Sequence, residues 1–402
     1  MIAAIAFRNI AHRPLQALLS WVLLTAGVAI ISLLLLLQRQ LWQKFETNIR
    51  GIDLVMGAKG SPLQLILSSV YHLDNPTGNI DYAEAQKWMK NPMVESAIPL
   101  AYGDSYQGFP IVGSTAAYLE KYAAEVAEGQ IFTQNFETVI GAEIARKTGL
   151  AVGSVFYGVH GTAAEGETHD EHPYRVTGIL APNGTVLDNL ILCDIESVWK
   201  MHEHEHEHGD SCDHNHDDDH RREITAVLFK FRNPMAIVQW PRPVAEQTNM
   251  QLASPAVEMN RIFSLLGIGI RTLAWLGWAI IGLAALSVFI ALFNTLKERR
   301  YELALLRTLG GSRVQVMGLI LLESVWLCLA GFVSGIVVSR VALWLISRAT
   351  GREYRFALDQ FGFRWSDEGL VFLLVLSIGL LAALIPAQKA YRLDISKTLS
   401  HE

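Results

Sequence analysis

Residues 272–296 read TLAWLGWAIIGLAALSVFIALFNTL, a run without a single charge. About 20 apolar helical residues, rising 1.5 Å each, cross the hydrocarbon core of a bilayer, so this stretch predicts a membrane span. The helical reading continues past both ends. After Pro255 no proline interrupts the chain until well beyond Arg300. The pattern therefore predicts one helix of roughly 45 residues, about twice the thickness of a bilayer core. Three further runs share this character: Leu15–Leu37, Val314–Ser339 and Gly369–Ala387, and only the second of these holds a charged residue, Glu323. Leu15–Leu37 follows Arg8 and Arg13, as a signal peptide would. It is too long for a signal core and lacks a small-x-small exit, so it reads as an uncleaved anchor. Gly369–Ala387 is short enough for a buried core helix, but a basic tail follows it and favours a span. The chain is thus expected to be an α-helical membrane protein with four transmembrane helices.

Between the first and second spans the composition changes. Residues 39–262 hold 17 Lys and Arg against 30 Asp and Glu, a net of −13; the rest of the chain holds 16 against 9, a net of +7. An acidic extramembrane domain is therefore inserted into a membrane part with basic edges, a sign that disfavours a nucleic-acid partner. Apolar spacing in this insert predicts a large mixed α/β domain. Helices are expected over Ser61–Tyr71, Tyr82–Met89, Ala116–Glu128 and Ile195–Met201. Strands are expected over Val94–Ile98 and Tyr106–Val112 around a Gly103-Asp104 turn, and over Ser154–Val159, Tyr174–Leu180, Asp188–Cys193 and Ile224–Phe231. The organisation is then 1–38 with the first span, 39–262 as the domain, and 263–402 with the other three spans. Loop 297–313 carries Lys297, Arg299, Arg300, Arg307 and Arg313. By the positive-inside rule that loop and both termini are cytoplasmic and the domain is periplasmic. Cys193, Cys212 and Cys328 are too few for a disulfide framework.

Inside the domain, residues 202–220 read HEHEHEHGDSCDHNHDDDH, with seven histidines and eight carboxylates. Such a run offers almost no apolar surface to offset chain ordering, and so predicts a solvated loop. Imidazole nitrogens and carboxylate oxygens suit zinc and other divalent transition metals. His202, His204, His206, His208, His214, His216 and His220 are the candidate ligands. The plainer reading is an acidic tether. A catalytic zinc needs a few rigidly held ligands and an open position, which a run of this kind does not supply.

The segment after the second span reads ERRYELALLRTLGGSRVQV from Glu298. Leu303, Leu306 and Leu309 form an apolar stripe beside charged residues, and Gly310-Gly311 marks a helix stop. A helix of this kind lies along a membrane or docks in a partner's groove; the bland alternative is a solvated hairpin between two spans. This segment resembles the coupling helix of FtsX/MacB-type ABC transporter permeases. The resemblance extends to Ala6-Phe7-Arg8-Asn9-Ile10 with Arg13, to Glu323 with Gly331 and Gly335, and to Pro386-Ala387 with Leu393-Asp394. In the domain, Val139-Ile140-Gly141 through Gly153 and Thr177-Gly178-Ile179-Leu180 resemble the family's periplasmic core. Ile395 stands where the family usually has proline, and Gly51–Ile80 and the histidine run find no close counterpart.

The resemblance implies a permease of the bacterial inner membrane, not an enzyme, working with a cytoplasmic ABC ATPase that binds the ATP. In keeping with this, no G-x-x-x-x-G-K-[ST] occurs in the chain. It implies an ATPase-coupling helix over 297–310, with Lys297, Glu298, Arg299, Glu302, Leu303, Leu306, Arg307, Leu309 and Gly310 as its residues. It also implies a second permease copy, most simply in a homodimer, and leaves room for a periplasmic or outer-membrane partner. Gly331-x-x-x-Gly335 suits close helix packing, either between copies or within one chain. No covalently bound cofactor is expected. The competing reading is a membrane-anchored periplasmic metal-binding or sensing protein without transport.

Overall fold

The computed structural model describes residues 14–159, 172–203, 222–350 and 365–392. Its contacts divide the chain into two units, Trp42–Ser264 and a membrane unit of Met1–Leu41 with Leu265–Glu402. Helix α1 (Pro14–Ile49) contains the first apolar run and continues past it. It stops where Gly51 takes a left-handed φ of +77° and the Ile52 amide donates to the Ile49 carbonyl at 2.9 Å.

The inserted domain follows in the order β1 (Leu54–Ala58), α2 (Pro62–Ser69), β2 (Ile80–Asp81), α3 (Tyr82–Met89), β3 (Val94–Tyr106) and β4 (Phe109–Ser114). Then come α4 (Ala116–Lys121), β5 (Val126–Gly129), β6 (Glu137–Ile140), α5 (Ala142–Thr148), β7 (Val155–Phe156) and β8 (Tyr174–Leu180). The rest is β9 (Ile191–Asp194), α6 (Ile195–Glu203), β10 (Glu223–Ile224), β11 (Ala226–Phe231), α7 (Met235–Gln239), α8 (Pro241–Gln247) and β12 (Met250–Ala253). Ten of these strands form one sheet, ordered β12-β1-β11-β3-β4-β9-β6-β8-β5 with β7 on β8; β2 and β10 pair separately. The β4–β9 and β6–β8 pairs are parallel and the other pairs in this sheet antiparallel.

Both faces of the sheet are covered. Along β11, Val227 and Phe229 enter one core with Met56, Ile111 and Ile140, while Ala226 and Leu228 enter the other with Val55, Leu100 and Val139. This is why the central strands read as continuous apolar runs and not as alternation. The second core also takes Ile52 and Met259, with Phe45, Ile49, Ile262 and Phe263 packed against it.

Several sequence expectations are corrected. β3 runs unbroken from Val94 to Tyr106, and the hairpin turns at Gln107-Gly108, whose φ values are +49° and +79°. Two left-handed residues in succession match the twist of the flanking strands. Gly103 is instead in the strand at an irregular register, where a side chain would press within 3.4 Å of Val198. The helix expected over Ala116–Glu128 ends at Lys121, since Ala123 turns left-handed at φ +47° and leads into β5. Of Ser154–Val159, only Val155–Phe156 is strand. The domain's β1 and β12 lie outside the strands expected from sequence.

The membrane unit is completed by α9 (Pro255–Glu298), α10 (Arg300–Thr308), α11 (Arg313–Thr350) and α12 (Trp365–Tyr391). Four helices are long and apolar enough to cross a membrane among the described residues: 17–49, 255–298, 313–348 and 365–391. The fold is therefore a four-span helical membrane protein with a mixed α/β domain between the first and second spans.

Within the membrane unit, α1 packs on both α9 and α11 through small residues. A Cβ at Gly331 would lie 2.6 Å from that of Leu24, and one at Gly335 2.6 Å from that of Val28. These two glycines thus seat α1 of the same chain. Gly27 similarly accepts Ile281, at 2.6 Å, and Gly277 accepts Ile31, at 2.9 Å. Hydroxyl pairs reinforce the contacts: Ser20–Ser287 at 2.9 Å, Thr25–Ser334 at 2.7 Å and Ser32–Ser339 at 3.2 Å. Helix α12 joins α11, where the Ser324 hydroxyl donates to the Gly379 carbonyl at 2.8 Å and Arg340 pairs with Glu368.

Filling these seats should separate the helices. Gly331→Leu should lower the thermal stability of the detergent-solubilised chain by an amount equivalent to about 1–3 kcal/mol, the usual scale of overpacking. Gly282→Leu, at a glycine with open space around it, should leave the melting temperature near that of the parent.

Candidate coupling site

The long helix α9 breaks at Arg299, whose φ and ψ of −102° and 12° are no longer helical, and α10 begins at Arg300. The break thus comes inside the expected 297–310 helix and leaves Lys297 and Glu298 at the end of α9. The Lys297 amine lies 5.0 Å from the Phe293 ring centroid, shared with Lys389 at 4.4 Å. Arg299 is largely buried and its Nε lies 3.6 Å from the exposed carboxylate of Glu302.

The far end of α10 is closed by two interlocking caps. The Gly310 amide donates to the Arg307 carbonyl at 3.2 Å and the Gly311 amide to the Leu306 carbonyl at 3.0 Å. With Gly310 at φ +98°, this is the paired bonding of a Schellman terminus. At Gly311 a Cβ would lie 2.7 Å from the Leu306 carbonyl oxygen, so the second glycine is required by close approach. Directly afterwards the Gln315 amide donates to Ser312 Oγ at 3.2 Å, and the Ser312 amide donates to Gln315 Oε1 at 2.8 Å. That reciprocal capping box starts α11. The connection is therefore a fixed turn with both helix ends hydrogen-bonded.

Between these ends α10 is two-faced. Leu303 and Ala304 are buried in the membrane unit's own core, together with Leu292, Leu296, Leu319 and Ile320. The opposite face presents Tyr301, Leu305 and Leu309, the last 83% exposed. Their spacing of four residues places them on one side of a helix. Leu306 is exposed at the edge, and Arg307 is half-buried. The apolar stripe read from the sequence is thus split: Leu303 anchors the helix, while Leu306 and Leu309 remain accessible. Tyr301 and Leu305 are the accessible residues that the sequence reading missed. Their four-residue repeat was visible, but not which apolar side would face the bundle.

Beneath α10 is a crevice with room for about 80 Å³ of water-sized contents, lined by Thr295, Arg299, Glu302, Leu306 and Glu323 among others. Glu323 is buried within α11 at this end of the span. Its place among charged residues beneath α10 accounts for a carboxylate in an apolar run, since intramembrane acids face protein or water.

The metal-ligand candidates fall elsewhere. His204, His206, His208, His214, His216 and His220 lie outside the described residues, and His202 is within the last turn of α6. Among the described residues, no group of three or more His, Cys, Asp or Glu side chains is placed to hold a metal.

Burying a carboxylate at position 303 should unseat α10. Leu303→Asp is expected to lower the melting temperature of the solubilised chain markedly, in line with the cost of an unpaired buried charge. Leu309→Asp, at a solvent-facing position, should shift it by no more than the equivalent of ~0.5 kcal/mol.

Comparison with protein families gives two matches that together cover most of the chain. Residues 17–236 match the MacB-like periplasmic core domain, and residues 274–395 match the FtsX-like permease C-terminal region. Among solved structures, the periplasmic region of MacB from Actinobacillus actinomycetemcomitans is similar at 14% identity, with a TM-score of 0.35, over 55% of this chain and 98% of that one. The extracellular domain of the noncanonic ABC-type transporter YknZ from Gram-positive bacteria is similar at 12% identity, with a TM-score of 0.32, over 50% of this chain and 99% of that one. A search of curated proteins returns no match.

Proposed function

Because this chain belongs to the FtsX/MacB-type permeases of ABC transporters, we propose that it is the membrane subunit through which a separate cytoplasmic ATPase drives movement of the periplasmic domain. The observation that carries this reading is the two-faced α10. One side, Leu303 and Ala304, is committed to the membrane unit, and the other offers Tyr301, Leu305 and Leu309 in a basic loop. An exposed apolar helix face flanked by charge suits a groove on a soluble partner. The fixed turn at Gly310–Gln315 would pass a push on α10 to α11, and the break at Arg299 would pass it to α9. The loop's positive charge supports a cytoplasmic location for it and for both termini.

In this reading the working unit holds two permease chains and two ATPase chains, related by a two-fold axis. The process served, whether export, lipoprotein handling or another envelope event, is set by the periplasmic domain and its partners. The spans contain few polar groups, which favours work done on the periplasmic side over passage of a hydrophilic substrate between them.

The test uses the full-length chain affinity-purified from its native membranes. The parent should retain an ABC ATPase in a complex with the mass of two copies of each chain, and that complex should hydrolyse ATP. Leu305→Asp with Leu309→Asp should cut ATPase recovery at least about tenfold, the effect of losing some 1.4 kcal/mol of binding. Unchanged recovery and hydrolysis would remove α10 as the coupling element.

The composition of residues 202–220 supports a second element of the same proposal, that this segment binds zinc or a related divalent metal. Protons compete for imidazole, so binding should weaken as pH falls through about 6.5. Deleting Glu203–Asp219 from the full chain should abolish zinc binding measured by calorimetry at neutral pH while leaving ATPase recovery intact. Equal zinc uptake by both forms would leave the segment as a tether. If the deletion removed a zinc response while no ATPase could be recovered with either form, the sensing reading would replace the transport one.

A further inference from the structure

The end of α1 is held in the domain by an unusual concentration of buried polar contacts, all on one residue. Asn48 is 1% exposed. Its backbone carbonyl accepts from the Lys121 amine at 3.1 Å and from the Tyr122 hydroxyl at 3.2 Å. Its side-chain oxygen accepts from the Val186 amide at 3.0 Å, and its side-chain amide donates to the Lys44 carbonyl at 2.9 Å. One turn earlier, the Phe45 carbonyl accepts from the Tyr71 hydroxyl at 3.2 Å.

Helix termini leave their last carbonyls without intrahelical partners, and water ordinarily satisfies them. Here the side chains of Lys121, the last residue of α4, and of Tyr122 do so at the Asn48 carbonyl. A lysine ammonium at a helix C-terminus is also favoured by the helix dipole. The Lys121 amine lies 3.2 Å from the Tyr122 ring centroid, and burial draws its pKa down to about 7. Giving up hydration in this way is a cost that a surface lysine would avoid by pointing outward.

The contacts do not end at the helix. Tyr122 packs edge-on against Tyr118, with ring centroids 5.3 Å apart, and the Tyr118 hydroxyl is 2.8 Å from His72 Nε2; His72 Nδ1 is 3.0 Å from the Tyr102 hydroxyl in β3. A chain of hydrogen bonds, bridged by one ring contact, thus runs from the end of α1 to β3. His72 holds it with φ at +53°, a left-handed conformation that is unfavourable for a residue with a Cβ and persists where surroundings over-determine it. Beside this polar path is an apolar one. Phe263, near the start of α9, lies 4.8 Å from Trp42 and 5.3 Å from Phe45, and Phe45 lies 4.9 Å from Tyr71.

We propose that Asn48, Lys121 and Tyr122 form a joint that fixes the end of α1 to the sheet, so that displacement of this helix is delivered to the domain and not absorbed at Arg50-Gly51. The inference rests on the coupling reading above and adds positioning residues to it. Without the joint, only the turn at Gly51 and apolar packing would tie α1 to the sheet, and α1 could turn while the sheet stayed still. Lys121 and Tyr122 act through Asn48 and the helix end.

The test follows deuterium uptake in the full-length complex with its ATPase, before and after trapping with ATP and vanadate. In the parent, trapping should change uptake both in α1 and in β3–β4. In Lys121→Met and in Tyr122→Phe, ATP hydrolysis and the change in α1 should persist while the change in β3–β4 is lost. Lys121→Arg should restore it by keeping a cationic donor. Melting of each variant, read on the same preparations, identifies any that fail to fold, and Tyr122→Phe removes only a hydroxyl. A β3–β4 response equal to the parent's in folded Lys121→Met and Tyr122→Phe would overturn the joint. Absence of any trapping-dependent change in the parent would instead overturn the coupling reading, and the joint with it.

Discussion

Close packing of α1 between α9 and α11 is the contact on which the membrane unit depends. Lipid tails are as apolar as leucine side chains, so burial from water cannot hold helices together inside a bilayer. Association has to come from backbone approach and from hydrogen bonds that have no water to compete with. Gly27 and Gly277 provide that approach between α1 and α9, and Gly331 and Gly335 between α1 and α11. The serine and threonine pairs lie along the same seams. A helix held from both sides cannot slide independently of either neighbour. Under the proposed function that would make α1 a carrier of motion from α10, since α10 is continuous in chain with α9 on one side and α11 on the other.

The other requirement is met at the ends of the long helices. α1 and α9 each continue well past the length needed to span a bilayer, to Ile49 and from Pro255. Inside the domain unit their ends share the aromatic group of Trp42, Phe45, Phe263 and Tyr71. Packing of this kind resists separation but tolerates rotation, because dispersion contacts have little directionality. The directed bonds at Asn48 supply the missing constraint. Apolar contacts thus keep the helix ends together, and polar ones fix their orientation on the sheet.

The four spans and the mixed α/β insert were legible because they rest on run length and charge, which the bilayer imposes almost regardless of tertiary detail. The glycine stop at Gly310-Gly311 was legible for the same reason, as no other residue takes φ +98° so readily. Local signals misled where two turns competed. Gly103-Asp104 reads as a turn dipeptide, yet both residues stay in β3 and the left-handed pair is Gln107-Gly108. Ala116–Glu128 has helical spacing throughout, but the chain must leave the helix at Tyr122 and Ala123 to add β5 to the sheet. At α10 the sequence holds two apolar stripes and no statement of which meets the bundle. Only packing distinguishes Leu303 from Leu309. The joint at Asn48 was invisible, since its partners are separated by up to 138 positions and none belongs to a recognisable motif.

One face of α10 belongs to the bundle, and the proposed function gives the other to an ATPase. A photo-crosslinking residue placed singly at positions 303, 305 and 309 of the full-length chain, irradiated in native membranes, tests it directly. Adducts with an ABC ATPase are expected from positions 305 and 309, and none from 303, where the side chain is 7% exposed in the chain's own core. Adducts from 303 alone, or lipid adducts alone from 305 and 309, would contradict it.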